Sequence, residues 1–183
     1  IGIPQKDYAN KVLENADLIL SVGYAIVEYA PAKWNSDQHK NIIHIDARPA
    51  HINKLYQPSL EVVGDISVSL RSILSQMEKP FSSAYAREIK LKMEKEYAAY
   101  EADMSFPMRP QKVLSDVRKV LAPDDILLSD VGAHKIWIAR QYHCYQPNTC
   151  LISNGFASMG FALPGAIAAK LINPDKKVLA VTG

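Results

Sequence analysis

Two stretches in the second half of the chain place polar residues among small ones in patterns that suit ligand binding. The first is SDVGAHKIW, residues 129–137. A strand ends at Asp130–Val131, Gly132 permits a tight turn, and Ala133 and His134 open a helix that continues IWIARQY. The unpaired N–H groups and positive dipole end of such a helix favour an anion, typically a phosphate, and His134 could add a hydrogen bond to it. A histidine exposed at a helix start without any ligand fits the same pattern. The second stretch is LISNGFASMGFALPGA, residues 151–166. Ser153 and Asn154 make a polar strand-to-loop turn, while Gly155, Ala157, Ser158 and Gly160 remove side-chain bulk, so a flat group or a backbone should approach closely there. Met159 is a soft, polarizable prop for a ring system. Tight packing of a helix on a sheet accounts for the small residues equally well on spacing alone.

Weaker candidates lie in the first half. Glu28, in the loop GYAIVEYAPAKWN (residues 23–35), is a possible polar contact, although a loop carboxylate is more often solvated. His44 and Asp46 lie in IIHID, with Asp46 at the carboxyl end of the strand. That is a ligand-facing place in doubly wound folds, and a structural helix cap is at least as good a reading. His39, His51 and His143 carry no case. There is no G-x-G-x-x-G, and Gly155, Gly160 and Gly165 are spaced by five without a following Lys-Ser/Thr, so neither a dinucleotide fingerprint nor a Walker A loop is present. No local Ser-His-Asp or Cys-His pattern and no metal-ligand spacing is found. Cys144 and Cys150 match no zinc or redox motif and read as two buried or half-buried free thiols of a cytosolic protein.

The elements that must position these residues are legible. Six short β-like runs occur: LILSV (18–22), IIHID (42–46), EVVG (61–64), ILLSDVG (126–132), TCLISNG (149–155) and the terminal KVLAVTG. Their continuous apolar character points to parallel strands buried on both faces. Helical periodicity covers 66–77, with Ile66, Leu70, Ile73, Leu74 and Met77 on one face, and 111–121, with Val113, Leu114, Val117, Val120 and Leu121 on one face. Pro164 predicts a kink or a late start in the helix after Gly155. Residues 82–103 are charge-laced without glycine or proline and read as a solvated helical linker. The expected fold is α/β: two incomplete parallel-sheet β/α units, one Rossmann-like, joined by that linker. The expected boundaries are 1–78, 79–105 and 106–183. A formal net charge of +2 gives no case for a nucleic-acid or membrane-surface partner, and no apolar run suits a bilayer span.

Taken together, SDVGAHKIW, then ISNGFASMGFALPGAIAAKL, then KVLAVTG resemble the start of the diphosphate-binding domain of thiamine-diphosphate-dependent acetolactate synthases. ADLILSVGYAIVEYAPAKWN followed by IIHIDARPAHINKLYQPSLEVVGDI resembles the end of that family's central domain, and VEYAPAKWN is most like its catabolic, flavin-independent type. The resemblance implies thiamine diphosphate and Mg²⁺ as cofactors, with FAD not expected. It implies that His134 bonds the diphosphate, with Gly132 and Ala133 at the helix start, and Ala133 standing where many relatives carry Gln. It also implies that Ala157 offers a backbone carbonyl to the cofactor amine, that Met159 props the bent cofactor, and that Asn154 and Gly155 shape the loop. Gly183 would be the first glycine of a Gly-Asp-Gly metal motif whose Asp follows. The implied reaction condenses two pyruvates to 2-acetolactate with loss of CO₂ through a cofactor enamine, in a cytoplasmic homo-oligomer whose active site lies between subunits. A second thiamine-diphosphate 2-keto-acid decarboxylase, oxidase or carboligase, or a non-catalytic nucleotide- or flavin-binding module, is the alternative. The expectation for the 183 residues by themselves is an inactive, self-associating piece.

Overall fold

The computed structural model describes residues 7–27, 29–79 and 83–183, which form two compact units that divide between Ile89 and Lys90. Glu28 lies outside the described residues.

In the first unit, helix α1 (Tyr8–Glu14) starts at Asp7, whose carboxylate accepts the Tyr8 N–H at 2.8 Å. Strands β1 (Leu18–Val22), β2 (Asn41–Asp46) and β3 (Leu60–Val63) follow, all parallel and in the order β1-β2-β3. A 3-10 turn, Pro31–Lys33, stands between the first two strands. The central strand carries the core, with Ile42 and Ile45 fully buried. Helix α2 (Ile66–Gln76) begins where Asp65 accepts the Val68 N–H at 2.8 Å. Two expectations fail here. Leu18, Leu20 and Val22 along one side of β1 are about half exposed, and the apolar face of α2 holds no buried residue. Only β2, flanked by a strand on each edge, is well covered in this sheet.

Helix α3 (Ala84–Glu101) is the charge-laced segment; only Ile89 is buried, and Lys90 pairs with Glu94 one turn on at 3.6 Å.

The second unit contains α4 (Pro110–Val120), β4 (Ile126–Ser129), α5 (Ala133–Gln141), β5 (Cys150–Ile152), α6 (Ala162–Ile172) and β6 (Val178–Val181). Its sheet is parallel in the order β5-β4-β6. Because side chains alternate along a strand, β4 feeds two cores. Leu127 packs with Leu114 and Leu121 around α4 and with Ile138 and Tyr142 around α5, whereas Ile126 and Leu128 pack with Ala162 of α6. Helices α5 and α6 therefore cover opposite faces. Pro164 falls in the first turn of α6, which makes it a late helix start, not a kink. Small residues along α6 do serve packing: a Cβ on Gly165 would lie 2.8 Å from Leu128 Cδ2.

Side chains close the ends of these elements. Arg118 donates to the Leu121 carbonyl at 2.7 Å, to the Ala122 carbonyl and to Tyr142 Oη at 2.7 Å, satisfying the carbonyls of the C-cap of α4 and the residue after it. At the amino end of the sheet the buried Asp125 carboxylate accepts the Ala122 N–H at 2.7 Å and the Lys177 N–H at 2.8 Å. The thiols differ from expectation. Cys150 is half-buried, but Cys144 sits exposed in the loop before β5, where its Sγ lies 3.9 Å from the Tyr142 carbonyl. Burial, then the neighbouring Cys144 thiol, push the Cys150 thiol up to about 12.

Candidate functional site

The second sheet has a feature that the first lacks. Its adjacent strands β4 and β5 send their following helices to opposite faces, which opens a crevice beyond their carboxyl ends. The eight residues that the resemblance assigns to the cofactor (Gly132, Ala133, His134, Asn154, Gly155, Ala157, Met159 and Gly183) lie on the three segments around it.

Gly132 links β4 to α5 with φ +153° and ψ −173°, a conformation that is essentially restricted to glycine. Ala133 follows as the first helical residue, and no side chain caps the helix start. The imidazole of His134 folds back between two glycines. A Cβ on Gly132 would lie 2.8 Å from His134 Cε1, and a Cβ on Gly183 would lie 2.8 Å from Nδ1. The structure thus brings His134, Gly132 and Gly183 together, although Gly183 comes from the end of β6. His134 Nε2 is buried and has no hydrogen-bond partner. A buried polar atom left this way costs about 1–3 kcal/mol, and an incoming acceptor would recover it.

The loop from β5 to α6 forms the other wall. Asn154 and Gly155 leave the strand, and three residues take left-handed backbones: Gly155 at φ +68°, Ala157 at +51° and Gly160 at +84°. For Ala157 this costs about 1–2 kcal/mol, strain of the kind that collects at functional sites. Met159 is 80% exposed and Phe156 98% exposed, so the loop is not shaped by burial of its own large side chains. Lys135 Nζ donates to the Ser153 carbonyl at 2.9 Å and ties α5 to the loop.

Asp130 escaped the sequence reading. It is 6% exposed at the end of β4, where Oδ2 accepts the Gly160 N–H at 2.7 Å and Oδ1 accepts the Phe161 N–H at 3.3 Å and its neighbour Val131 N–H at 2.9 Å. Burial pushes this carboxyl up, but those three N–H donors and nearby His134 outweigh it and hold it below the ordinary carboxylate value. The available signal was an acidic residue at a strand end, two residues before Gly132.

The crevice of the first unit is finished differently. His44 Nδ1 lies 2.8 Å from Tyr56 Oη, its Nε2 lies 3.1 Å from the Arg48 carbonyl, and Ser21 Oγ lies 2.5 Å from Tyr56 Oη. Asp46 accepts the Arg48 N–H at 3.1 Å, a local turn and not a helix cap. A cavity of about 450 Å³ stands over these groups. Among the described residues no three His, Cys, Asp or Glu side chains converge as metal ligands, and no helix is long and apolar enough to cross a membrane.

A parallel sheet with an unpaired buried imidazole nitrogen at a helix start and a glycine-rich, backbone-strained wall has the features that suit an anionic ligand. In agreement, residues 130–183 match the family described as thiamine pyrophosphate enzyme, C-terminal TPP binding domain, and residues 1–73 match thiamine pyrophosphate enzyme, central domain. The chain belongs to the thiamine pyrophosphate enzymes. Among curated relatives it is similar to an acetolactate synthase of Bacillus subtilis (34% identity, 100% of this chain, 33% of the relative) and to a catabolic acetolactate synthase of Raoultella terrigena (34%, 100% and 34%). A mitochondrial acetolactate synthase catalytic subunit of Saccharomyces cerevisiae is 31% identical over 96% of this chain and 28% of the relative. The chain therefore spans about a third of the length of these relatives.

Proposed function

We propose that this chain is the central and cofactor-binding part of an acetolactate synthase of the catabolic, flavin-independent type, which condenses two pyruvates to 2-acetolactate with loss of CO₂. The reaction rests on similarity across the whole chain to proteins named acetolactate synthase. The cofactor position rests on one observation, the buried, unpartnered Nε2 of His134.

When bound, thiamine diphosphate supplies the electron sink that lets a 2-keto acid lose CO₂ and pass on its acyl carbon. The chain's own part is to bind and orient. His134 would donate from Nε2 to a diphosphate oxygen, alongside backbone N–H groups at the start of α5, where Ala133 offers no side-chain contact. Gly132 and Gly183 keep the imidazole seated by leaving no Cβ in its way. Asn154 and Gly155 shape the facing loop, Ala157 presents a backbone carbonyl, and Met159 supplies an apolar prop. Mg²⁺ is expected to accompany the diphosphate; with no acidic cluster among the described residues, no metal position is assigned within this chain.

Flavin independence is supported by the first unit, where His44, Tyr56 and Ser21 already satisfy one another. A homo-oligomer is supported by Leu163, Ile167 and Leu171, which recur every four residues along α6 and are all more than half exposed. A cytoplasmic location accompanies the catabolic assignment.

The test is calorimetric titration of the full-length protein with thiamine diphosphate and Mg²⁺, together with product analysis on pyruvate. Cofactor binding and acetolactate, from a protein without visible flavin absorption, are expected. Acetaldehyde, acetyl phosphate or tartronate semialdehyde in place of acetolactate would overturn the reaction, and a stoichiometric flavin would overturn the catabolic type.

A further inference from the structure

We propose that Asp130 is a positioning residue that holds the loop from Gly155 to Phe161 in its cofactor-ready form before any cofactor arrives. The role rests on the reading that this loop and His134 serve one cofactor.

The loop has a shape that its own side chains do not explain. Three of its residues are left-handed, one of them an alanine, and Phe156 and Met159 project into solvent. Something outside the loop must therefore hold it, and two side chains reach it, Lys135 and Asp130. Lys135 grips only its entrance, at the Ser153 carbonyl. Asp130 grips the far end, taking the N–H of Gly160 at 2.7 Å and of Phe161 at 3.3 Å.

Phe161 precedes α6 and caps it with no side chain of its own. The first N–H groups of a helix need acceptors, and a carboxylate there also complements the positive dipole end. Asp130 supplies that cap from another strand. It is well placed to do so, because it follows β4, whose four residues are all buried. It also stands four residues before His134 on the same strand-to-helix turn. Motion of the loop relative to the diphosphate-binding turn would have to break its bonds. The carboxylate oxygens are turned to three backbone N–H groups, which is the arrangement of a clasp and not of a proton donor.

The experiment is hydrogen exchange on the cofactor-free full-length protein, paired with thiamine diphosphate titration. In the unmutated protein, the amides of Gly160 and Phe161 should exchange at least about tenfold more slowly than those of Phe156 and Ser158, although all four residues are exposed. Asp130→Asn keeps the shape but turns an amide N–H₂ or a weaker acceptor toward those donors. It should erase the difference and weaken cofactor binding about tenfold. His134→Ala should weaken binding while leaving the exchange pattern intact. Equal exchange across the loop in the unmutated protein would overturn the proposal, and so would Asp130→Asn that retained the protection. If Asp130→Asn fails to fold, the unmutated pattern decides. Protection in a protein that binds no thiamine diphosphate would sink the functional reading and leave the clasp standing.

Discussion

Both units lay three parallel strands side by side, yet they finish the carboxyl ends of those strands in opposite ways. In the first unit the strands are added in one direction, β1-β2-β3, and the polar groups above them spend their hydrogen bonds on each other. Tyr24, Trp34 and Tyr56 stand ring against ring, with centroids 5.2–6.2 Å apart. In the second unit the first strand, β4, ends in the middle, with later strands added on either side. There the polar atom at the helix start is left unpaired, on a ring that lies against Gly132 and Gly183. The difference teaches how a site is marked in this topology. Polar residues at strand ends are common to both units; among the described residues, a buried polar atom at a strand end with no protein partner and glycines against its ring belongs to one.

The sharpest way to break the contrast is to fill the open crevice. Gly132→Ala places a Cβ 2.8 Å from the His134 ring and also forces alanine to φ +153°. The two penalties together should reduce thiamine diphosphate affinity of the full-length protein about 100-fold, or about 2.7 kcal/mol. His134→Ala should cost about tenfold, the worth of one hydrogen bond to a charged group. Calorimetric titration measures both. A Gly132→Ala protein that binds within threefold of the parent would show that the seat of His134 has no part in the site.

How much of this was legible beforehand follows from the same contrast. The six strands announced themselves because parallel strands are short apolar runs closed by a polar residue or glycine, and the order of segments along the crevice could be read from SDVGAHKIW and SNGFASMG. What was hidden is pairwise. Nothing local says that Gly183 will lie against His134, since β6 reaches β4 only through the sheet. Nothing local distinguishes Gly165, which packs on Leu128, from Gly160, whose added Cβ would meet nothing within 4 Å. Helix α1, Asp130 and the exposed Cys144 were missed for the same reason: capping, clasping and exposure depend on partners remote in the chain or on cover that periodicity cannot report.

The self-satisfied polar cluster of the first unit can be loosened from within. Tyr56→Phe removes the hydroxyl shared by Ser21 Oγ and His44 Nδ1, both in buried residues. That leaves His44 Nδ1 unpaired, while Ser21 Oγ keeps the Ile43 carbonyl at 3.2 Å, and should cost about 2 kcal/mol of stability. Hydrogen-exchange mass spectrometry should localise the loosening to β1 and β2, with thiamine diphosphate affinity unchanged. A loss of cofactor affinity larger than about threefold would mean that the first crevice is not self-contained.

A smaller effect separates the two ends of the second sheet. Asp125 closes the amino end as Asp130 closes the carboxyl end. Burial pushes the Asp125 carboxyl up, but the N–H groups of Ala122 and Lys177, with the charges of Lys177 and Arg118, bring it below its ordinary value. A carboxyl lowered on folding stabilises fully above the unfolded pKa, near about 4, and loses that contribution as pH falls through its lower folded value. Asp125→Asn should therefore cost about 1.5 kcal/mol at neutral pH, and the gap to the parent should close in acid. Urea unfolding across pH checks this, and a gap that widens in acid would reverse the assignment.

The smallest change tests the comparison at matched glycines. Gly23 ends β1 with φ +59°, and an added Cβ would meet Ile66 Cδ1 at 3.5 Å, an ordinary contact. Gly23→Ala should therefore pay only the left-handed backbone penalty, about 1 kcal/mol, and shift the melting temperature by a few degrees with no effect on cofactor binding. Gly183→Ala has the opposite character. Its Cβ would meet the His134 ring at 2.8 Å, so the imidazole must leave its seat, and cofactor affinity should fall while the melting temperature barely moves. If both variants lost stability alike and neither lost affinity, the two crevices would be equivalent in construction, and the orphaned Nε2 of His134 would no longer mark either one as a binding site.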